Sequence, residues 1–327
     1  MQEQCTAQQR SSKRKKVFVR CVISLLLLGY LLSRVDLPAI RDALARANPF
    51  WLLFSFLLHI IGFLLTAYRW QLLLAARDAH FSILTLIQSY IIGVFFNNFL
   101  PSTVGGDLFR AYDTAAGVGS KTEAMTVVVV ERLTGMFALG LFALLALVLG
   151  FSHFGSIPII WSAIGGLGLA FVFFVAAMNP RTAEVVKHLF RHAEIRNSPF
   201  LRNAQAKLKQ IYDALCVYKR NTRVMAIAYA AALLLQVNVI LHYYFISHAM
   251  GLPVPMMYFF LIIPAVTVML MLPMFINGIG GREAAYILLL GEFGVSSAEA
   301  IAFSWIAFAM ILVQGIAGGL VYALRKK

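Results

Sequence analysis

Apolar runs long enough to cross a bilayer recur along this chain: Val17–Leu32, Phe50–Ala67, Phe81–Phe96, Thr122–Gly150, Ile157–Met178, Val224–His248, Pro255–Ile276 and Ala298–Leu324. Each holds roughly the 20 residues that a helix needs to span the hydrocarbon core. Inside that core only helices and closed barrels satisfy every backbone polar group, and runs of this length fit helices. The chain therefore reads as all-α and polytopic, with about six full spans plus two broken re-entrant hairpins. A soluble class is excluded, because 61% of the residues are hydrophobic and only 13% charged. The net charge of +14 sits in a few blocks between or before spans. That pattern orients a chain in the membrane and touches anionic lipid, and no nucleic-acid partner is expected from it. Cys5, Cys21 and Cys216 are scattered, with neither metal-ligand spacing nor a disulfide framework. No cofactor and no metal is expected.

Residues 1–16 form a polar, basic tail expected to be disordered and cytoplasmic. The basic block Lys13–Lys16 ahead of Val17–Leu32 resembles a signal peptide, but Ser33-Arg34-Val35-Asp36 offers no small-residue cleavage site, so an uncleaved first span is expected. One transmembrane domain then covers residues 17–324, and 325–327 is a short basic cytoplasmic tail. Arg34–Asn48 carries Leu37, Ile40, Leu44 and Ala47 at helical spacing and reads as an interfacial helix. The second span ends at Tyr68-Arg69-Trp70, a pattern suited to the headgroup level. Residues 179–223 hold ten Lys or Arg against three acidic residues; amphipathic helices lying on anionic inner-leaflet lipid are expected there.

Two stretches break the pattern. Asn97–Tyr112 reads NNFLPSTVGGDLFRAY, and Leu272–Tyr286 reads LPMFINGIGGREAAY. Proline removes a donor and restricts the residue before it, and paired glycines weaken a helix. Broken backbone at membrane depth survives only inside protein or beside water. If Phe81–Arg110 crossed once, the ten-cation segment would face outward; if it returns to its own side, that segment and the terminal Arg325-Lys326-Lys327 both face inward. The same parity makes Pro255–Gly291 a second hairpin entering from the opposite face. Paired, interrupted segments of opposite orientation point to a midplane transport site. Gly165-Gly166 and Gly318-Gly319 lie in plain spans, where close helix packing accounts for them.

The ordered pieces are Asn98-Phe99-Leu100-Pro101-Ser102-Thr103-Val104-Gly105-Gly106-Asp107 with Arg110, then Glu131-Arg132 with Gly135, then Pro273 followed by Ile276-Asn277-Gly278-Ile279-Gly280-Gly281-Arg282-Glu283. In these pieces the chain resembles the transmembrane, flippase-like domain family of the bacterial lysylphosphatidylglycerol synthases, from about residue 17 to 323. The resemblance implies lipid translocation or a related lipid-handling role, and the preferred reading is a flippase for a phospholipid or glycolipid headgroup in the bacterial cytoplasmic membrane; the cationic blocks place both termini in the cytoplasm. Lysyl transfer is not expected, because in the bifunctional synthases a cytosolic transferase domain follows and here the chain reaches Lys327. The substrate-binding candidates are Asn98, Pro101, Ser102, Gly105, Gly106, Asp107, Arg110, Glu131, Arg132, Asn277, Gly278, Gly280, Arg282 and Glu283.

Asp107 reads either as acceptor for a cationic headgroup or arginine, or as a helix N-cap. Arg110 and Arg282 suit a lipid phosphate, or else they neutralise Asp107, Glu131 or Glu283 internally. Glu131, deep in its helix, needs a partner: an ion pair with the first hairpin, or the substrate itself. Asn97, Asn98 and Asn277 suit the broken backbone better than a headgroup. His59 and His242 lie far apart without ligand spacing, and Gln236 and Asn238 suit interhelical hydrogen bonds. Two rival functions stay open: a non-catalytic partner of a lipid-modifying enzyme, and a membrane enzyme acting on lipid phosphates. The latter would need a carboxylate cluster or nucleophile pair that the sequence does not show.

Overall fold

The computed structural model describes residues 37–99, 105–154, 165, 218, 221–271 and 278–325. The tail 1–16, the first expected span, the Leu100–Val104 and Leu272–Asn277 breaks, the run Ile157–Met178 (Gly165 apart) and nearly all of the basic segment 179–223 lie outside them. The described helices are α1 Leu37–Arg46, α2 Pro49–Ala75, α3 Ile83–Phe99, α4 Gly105–Val118, α5 Lys121–Phe154, α6 Thr222–Ala249, α7 Met256–Met271, α8 Gly281–Gly291 and α9 Ser297–Leu324. Four are long and apolar enough to cross a membrane: α2, α5 over Lys121–Phe142, α6 and α9. The runs Ile83–Asn98 and Met256–Leu270 are apolar but shorter.

Local chemistry sets the helix starts. The Asn48 Oδ1 accepts the Phe50 N–H at 2.9 Å, and Pro49 fills the first helical position of α2, where its missing N–H costs nothing. At α9, the Ser296 N–H donates to Glu299 Oε2 at 2.9 Å while the Glu299 N–H donates back to Ser296 Oγ at 3.3 Å, a reciprocal cap. At α8, Gly280 has φ +80°, and its N–H donates to Glu283 Oε2 at 2.7 Å.

The Asn48 N–H donates to the Ala249 carbonyl at 2.7 Å, so the start of α2 and the end of α6 share one end of the molecule. Packing of Ile40 in α1 with Ala298, Ile301 and Ala302 puts the start of α9 there too. At the opposite end, Arg77 after α2 pairs with Glu123 in the first turn of α5, the Tyr218 hydroxyl before α6 donates to the Leu73 carbonyl, and Arg325 after α9 meets Asp113. Arg77, Lys121, Arg223 and Arg325, with Tyr218 and Asn221 before α6, gather at this second end, while Arg41 and Arg46 of α1 lie at the first.

Both interrupted stretches are antiparallel hairpins. In the first, Asn97 on α3 meets Gly106 on α4, Gly93 meets Arg110, and Ser89 bonds Asp113. In the second, Leu270 on α7 lies by Gly278, and the Tyr258 and Phe293 rings sit 4.7 Å apart. The first hairpin opens at the Ala75–Lys121 end and the second at the Asn48–Ala249 end, so the pair enters from opposite sides, as topology demanded. Each has its own core. Phe259, Tyr286, Leu289 and Phe303 bury the second hairpin against α6 and α9, while Trp70, Leu73, Leu86 and Val130 join α2, α3 and α5 beside the first. On α9, added Cβ atoms at Gly318 and Gly319 would strike the Ile91 carbonyl and the Phe95 ring, so this glycine pair does serve close packing.

Candidate functional site

Helix α2 is apolar outside and polar inside. Phe50, Leu53, Leu57, Ile61, Leu64 and Tyr68 are exposed along one face. On the opposite face, Ser55, His59, Gly62, Thr66 and Arg69 follow at intervals of four and three residues, the spacing that keeps side chains on one side of a helix. Ser55, Thr66 and Arg69 are buried. The exposed face suits lipid, and the polar stripe faces α3, α5 and α6.

The inner end of this stripe enters a cluster of five charges. Arg69 Nη2 donates to Glu131 Oε1 at 3.0 Å, and Arg110 Nη2 takes the other Glu131 oxygen. Arg110 Nη1 lies 3.8 Å from Asp107 Oδ1, whose partner oxygen pairs with Arg132 Nε. Arg69, Asp107, Arg110 and Glu131 are each at least 94% buried, whereas the Arg132 side chain is about half exposed. The Arg110 guanidinium lies over the Trp70 ring, 4.1 Å from its centroid, and 5.0 Å from the Tyr90 ring. Glu131 stands ten residues into α5, roughly 15 Å along its axis.

Small residues make this geometry fit. An added Cβ at Gly106 would collide with the Gly93 carbonyl, so the two glycines let α3 and α4 approach closely. A Cβ at Gly93 would press on Arg110 Cγ and Cδ at 3.3 Å. Gly135, one turn beyond Glu131, faces Arg69; a Cβ there would lie 3.6 Å from Nη1. The Gly106 N–H donates to Asn97 Oδ1 at 2.8 Å, and Asn98 Nδ2 donates to the Ile311 carbonyl on α9 at 3.0 Å. Asn97 thus closes the break, as its amide suited, and Asn98 ties the hairpin to α9.

Two buried guanidiniums, Arg69 and Arg110, face two buried carboxylates, Asp107 and Glu131, and the half-exposed Arg132 adds a third cation beside Asp107. Among the described residues, Arg69 Nε and Nη1 and Arg110 Nε are buried without a hydrogen-bond partner. Buried polar atoms normally find partners, and idle donors on a cation are costly to keep dry. The arrangement is suited chemically to an anion with several acceptor oxygens.

Arg282 and Glu283 belong to a second set, held against α9. The Arg282 guanidinium sits 4.7 Å from the Phe308 centroid. Both Glu283 oxygens are used within the protein, Oε2 by the Gly280 N–H and Oε1 by Ser304 Oγ at 2.8 Å. Gly278, at φ +74°, and Gly280 shape the turn into α8. Pro101, Ser102 and Asn277 lie outside the described residues. Gly105 opens α4.

Two placements depart from the sequence reading. Arg69 does not face outward beside Tyr68: α2 runs on to Ala75, and Arg69 turns inward to Glu131 while Tyr68 is exposed. Its inward address is encoded in the Ser55–Arg69 periodicity. His59 and His242, distant in sequence, stack between α2 and α6 with ring centroids 4.1 Å apart. Among the described residues no group of three or more His, Cys, Asp or Glu could hold a metal ion.

The family model described as "Lysylphosphatidylglycerol synthase TM region" matches residues 17–318, and the chain belongs to that family. A UPF0104 membrane protein of Methanothermobacter thermautotrophicus is 23% identical over 323 residues, 93% of this chain and 95% of its own. One from Methanocaldococcus jannaschii is 25% identical over 179 residues, about half of each chain (50% and 51%). Another, from Pyrococcus horikoshii, is 25% identical over 134 residues, 40% of each. All three organisms are archaea. No solved structure matches the chain.

Proposed function

We propose that this member of the lysylphosphatidylglycerol synthase transmembrane-region family is a lipid translocase that grips a phospholipid or glycolipid by its phosphate. The observation that carries the reading is the buried Arg69–Glu131–Arg110 cluster, with guanidinium N–H donors on Arg69 and Arg110 that meet no acceptor among the described residues. Buried arginines in a membrane helix are expensive and mark a pathway or a ligand. Phosphate oxygens would take the Arg69 and Arg110 donors, with Asp107 and Glu131 holding both guanidiniums in place. Trp70 and Tyr90 fix the plane of Arg110. Two hairpins opening at opposite ends support exchange of access between leaflets, as in inverted-repeat carriers. The acyl chains would stay in the bilayer along the apolar outer face of α2.

The cation-rich end is assigned to the cytoplasm of a prokaryotic cell, with both termini there and residues 179–223 on anionic lipid. No lysyl transfer or other covalent step is assigned to these residues. Support for a translocase over a partner protein rests on the idle donors, which a scaffold has no need to keep.

The test is headgroup accessibility in liposomes holding the full chain. It uses labelled phosphatidylglycerol, lysylphosphatidylglycerol, phosphatidylethanolamine and a polyprenyl-linked sugar phosphate. At least one lipid should equilibrate faster than in protein-free vesicles. Arg69→Gln should slow it about 10- to 100-fold, the loss of one charge-assisted hydrogen bond of about 1.5–3 kcal/mol. Asp107→Asn should slow it as well. Acceleration of no lipid, or unchanged movement in Arg69→Gln, overturns the reading.

A further inference from the structure

The α2–α6 interface holds a second polar site, which the translocation reading does not use. Its rings are those of His59 and His242, 4.1 Å apart and inclined at 59°. Ser55 fixes the state of one of them. The Ser55 hydroxyl donates its only hydrogen to the His242 carbonyl at 2.8 Å. His242 Nδ1 lies 2.7 Å from Ser55 Oγ and 3.1 Å from the Ser55 carbonyl oxygen, which can only accept. The proton therefore sits on Nδ1, and in the neutral ring Nε2 presents a bare lone pair. Among the described residues that Nε2 is buried without a partner, and so is His59 Nε2. Packing alone does not explain two imidazoles placed together with unsatisfied nitrogens; a Leu pair would fill the space without stranding them.

Neighbouring polar groups lead away from the pair in both directions. Towards the Arg69 end, the stripe continues through Gly62, against which Asn238 of α6 packs, to Thr66, which hydrogen-bonds the Tyr90 hydroxyl on α3. Tyr90 in turn feels Arg110, Glu131 and Arg69. On the other side, the Tyr243 ring lies 5.0 Å from His242, and Tyr243 hydrogen-bonds Tyr286 on α8. The titratable groups facing the pair are thus Tyr243 from α6, Tyr286 from α8 behind it, Tyr90 from α3 behind Phe63, and Glu131 from α5 at the far end of the stripe. Among the described residues, no carboxylate pairs with either ring, and the group that acts most directly on each is the other imidazole.

We infer that His59 and His242 form a proton-binding site that couples lipid movement to a proton gradient, so that the substrate is an anionic lipid travelling with a proton. The inference rests on the translocation reading. The proton leaves hydronium at one end, forms an N–H bond at His242 Nε2, and returns to water at the other; nothing is oxidised or reduced. Among the described residues neither ring has a carboxylate beside it, so a bound proton is held more easily once an anionic headgroup has neutralised the arginines at the end of the same stripe. Proton and phosphate then favour each other's binding, which is the condition for coupling. A phosphate monoanion and one proton move together without net charge.

The experiment uses liposomes holding the full chain and labelled phosphatidylglycerol, with the lumen held one pH unit more alkaline than the medium. Protein-free vesicles under the same gradient supply the background. One proton per lipid predicts about a tenfold enrichment of label in the lumenal leaflet, since one pH unit is worth about 1.4 kcal/mol. The enrichment should reverse with the gradient and be independent of a potassium–valinomycin potential. In His242→Gln and His59→Asn the label should still equilibrate, which shows folded protein, but with a leaflet ratio of about one. Equilibration by wild type at a ratio of one overturns the coupling and leaves the translocase standing. Enrichment that survives both substitutions removes it from the histidines. No movement of the lipid by wild type overturns both readings for phosphatidylglycerol.

Discussion

Replacing Glu131 by Gln tests the charge cluster most directly. The side chain is 2% exposed, and its two oxygens take two guanidiniums that are themselves at least 95% buried. Gln keeps the shape and one acceptor oxygen but turns an N–H₂ group towards one of the arginines. The cluster then holds three cations against one carboxylate, and its excess doubles. Breaking a buried ion pair by removing one partner costs about 3–5 kcal/mol. Here two arginines lose the same partner, which argues for the upper half of that range. A second substitution separates charge from shape: Glu131→Gln with Arg69→Gln restores the original excess of one. The double variant should therefore be more stable than Glu131→Gln alone, by about 1–2 kcal/mol, although it carries one more change. Urea or SDS unfolding in detergent micelles, followed by near-ultraviolet circular dichroism, reads all four corners of the cycle. A Glu131→Gln variant within about 1 kcal/mol of wild type would refute the argument. So would a double variant whose losses simply add, since both results mean that the guanidiniums do not depend on this carboxylate.

Three further outcomes follow from the geometry. Gly106→Ala should destabilise the protein by about 1–3 kcal/mol, because its methyl meets the Gly93 carbonyl. Gly140→Ala, helical and with nothing within 4 Å, should be neutral or stabilising by up to about 1 kcal/mol; thermal unfolding of both in one detergent reads the difference. Arg325→Ala should cost no more than about 1 kcal/mol, because the Asp113 pair is partly exposed at 28% and 20%, and the loss should shrink in high salt. Tyr218, whose hydroxyl donates to the Leu73 carbonyl outside the spans, has its pKa raised by burial. The folded state therefore holds this proton more tightly than the unfolded chain does. That stability is fully present below the ordinary tyrosine value of about 10 and is lost as pH rises from there, and Tyr218→Phe should flatten the alkaline limb of a stability–pH profile.

The hairpins were legible because their chemistry is local. Leu-Pro followed by a glycine pair interrupts a helix where the lone pair Gly318-Gly319 inside α9 does not, and the count of cationic blocks then favours paired, opposed hairpins. The pairing inside the cluster was legible only in part. Glu131 needed a partner by its depth, and the first hairpin was a natural source, but Arg69 is 62 residues away and no local rule joins them. The apolar run Phe50–Ala67 also stops short of Arg69, whereas α2 continues to Ala75 and carries the guanidinium inward. His59 and His242 were invisible as a pair for the same reason, since 183 residues and a whole helix packing lie between them.

The two hairpins share a sequence grammar, yet the structure gives them different work. In the second, Glu283 is consumed by the cap of α8 and by Ser304, and the Arg282 guanidinium lies against Phe308. In the first, two carboxylates are set among three arginines, and Glu131 is shared by Arg69 and Arg110. A proline, a glycine pair and an adjacent charge are enough to specify a broken hairpin; they do not decide whether its charges close the fold or wait for a ligand. That is decided by the charges neighbouring helices bring to the break. α2 and α5 supply Arg69, Glu131 and Arg132 to the first hairpin, while α9 supplies Ser304 and Phe308 to the second. The inward stripe of α2 is therefore what gives the first hairpin a second buried arginine, so that two guanidiniums share Glu131 where the second hairpin has a carboxylate closed by a cap and a serine.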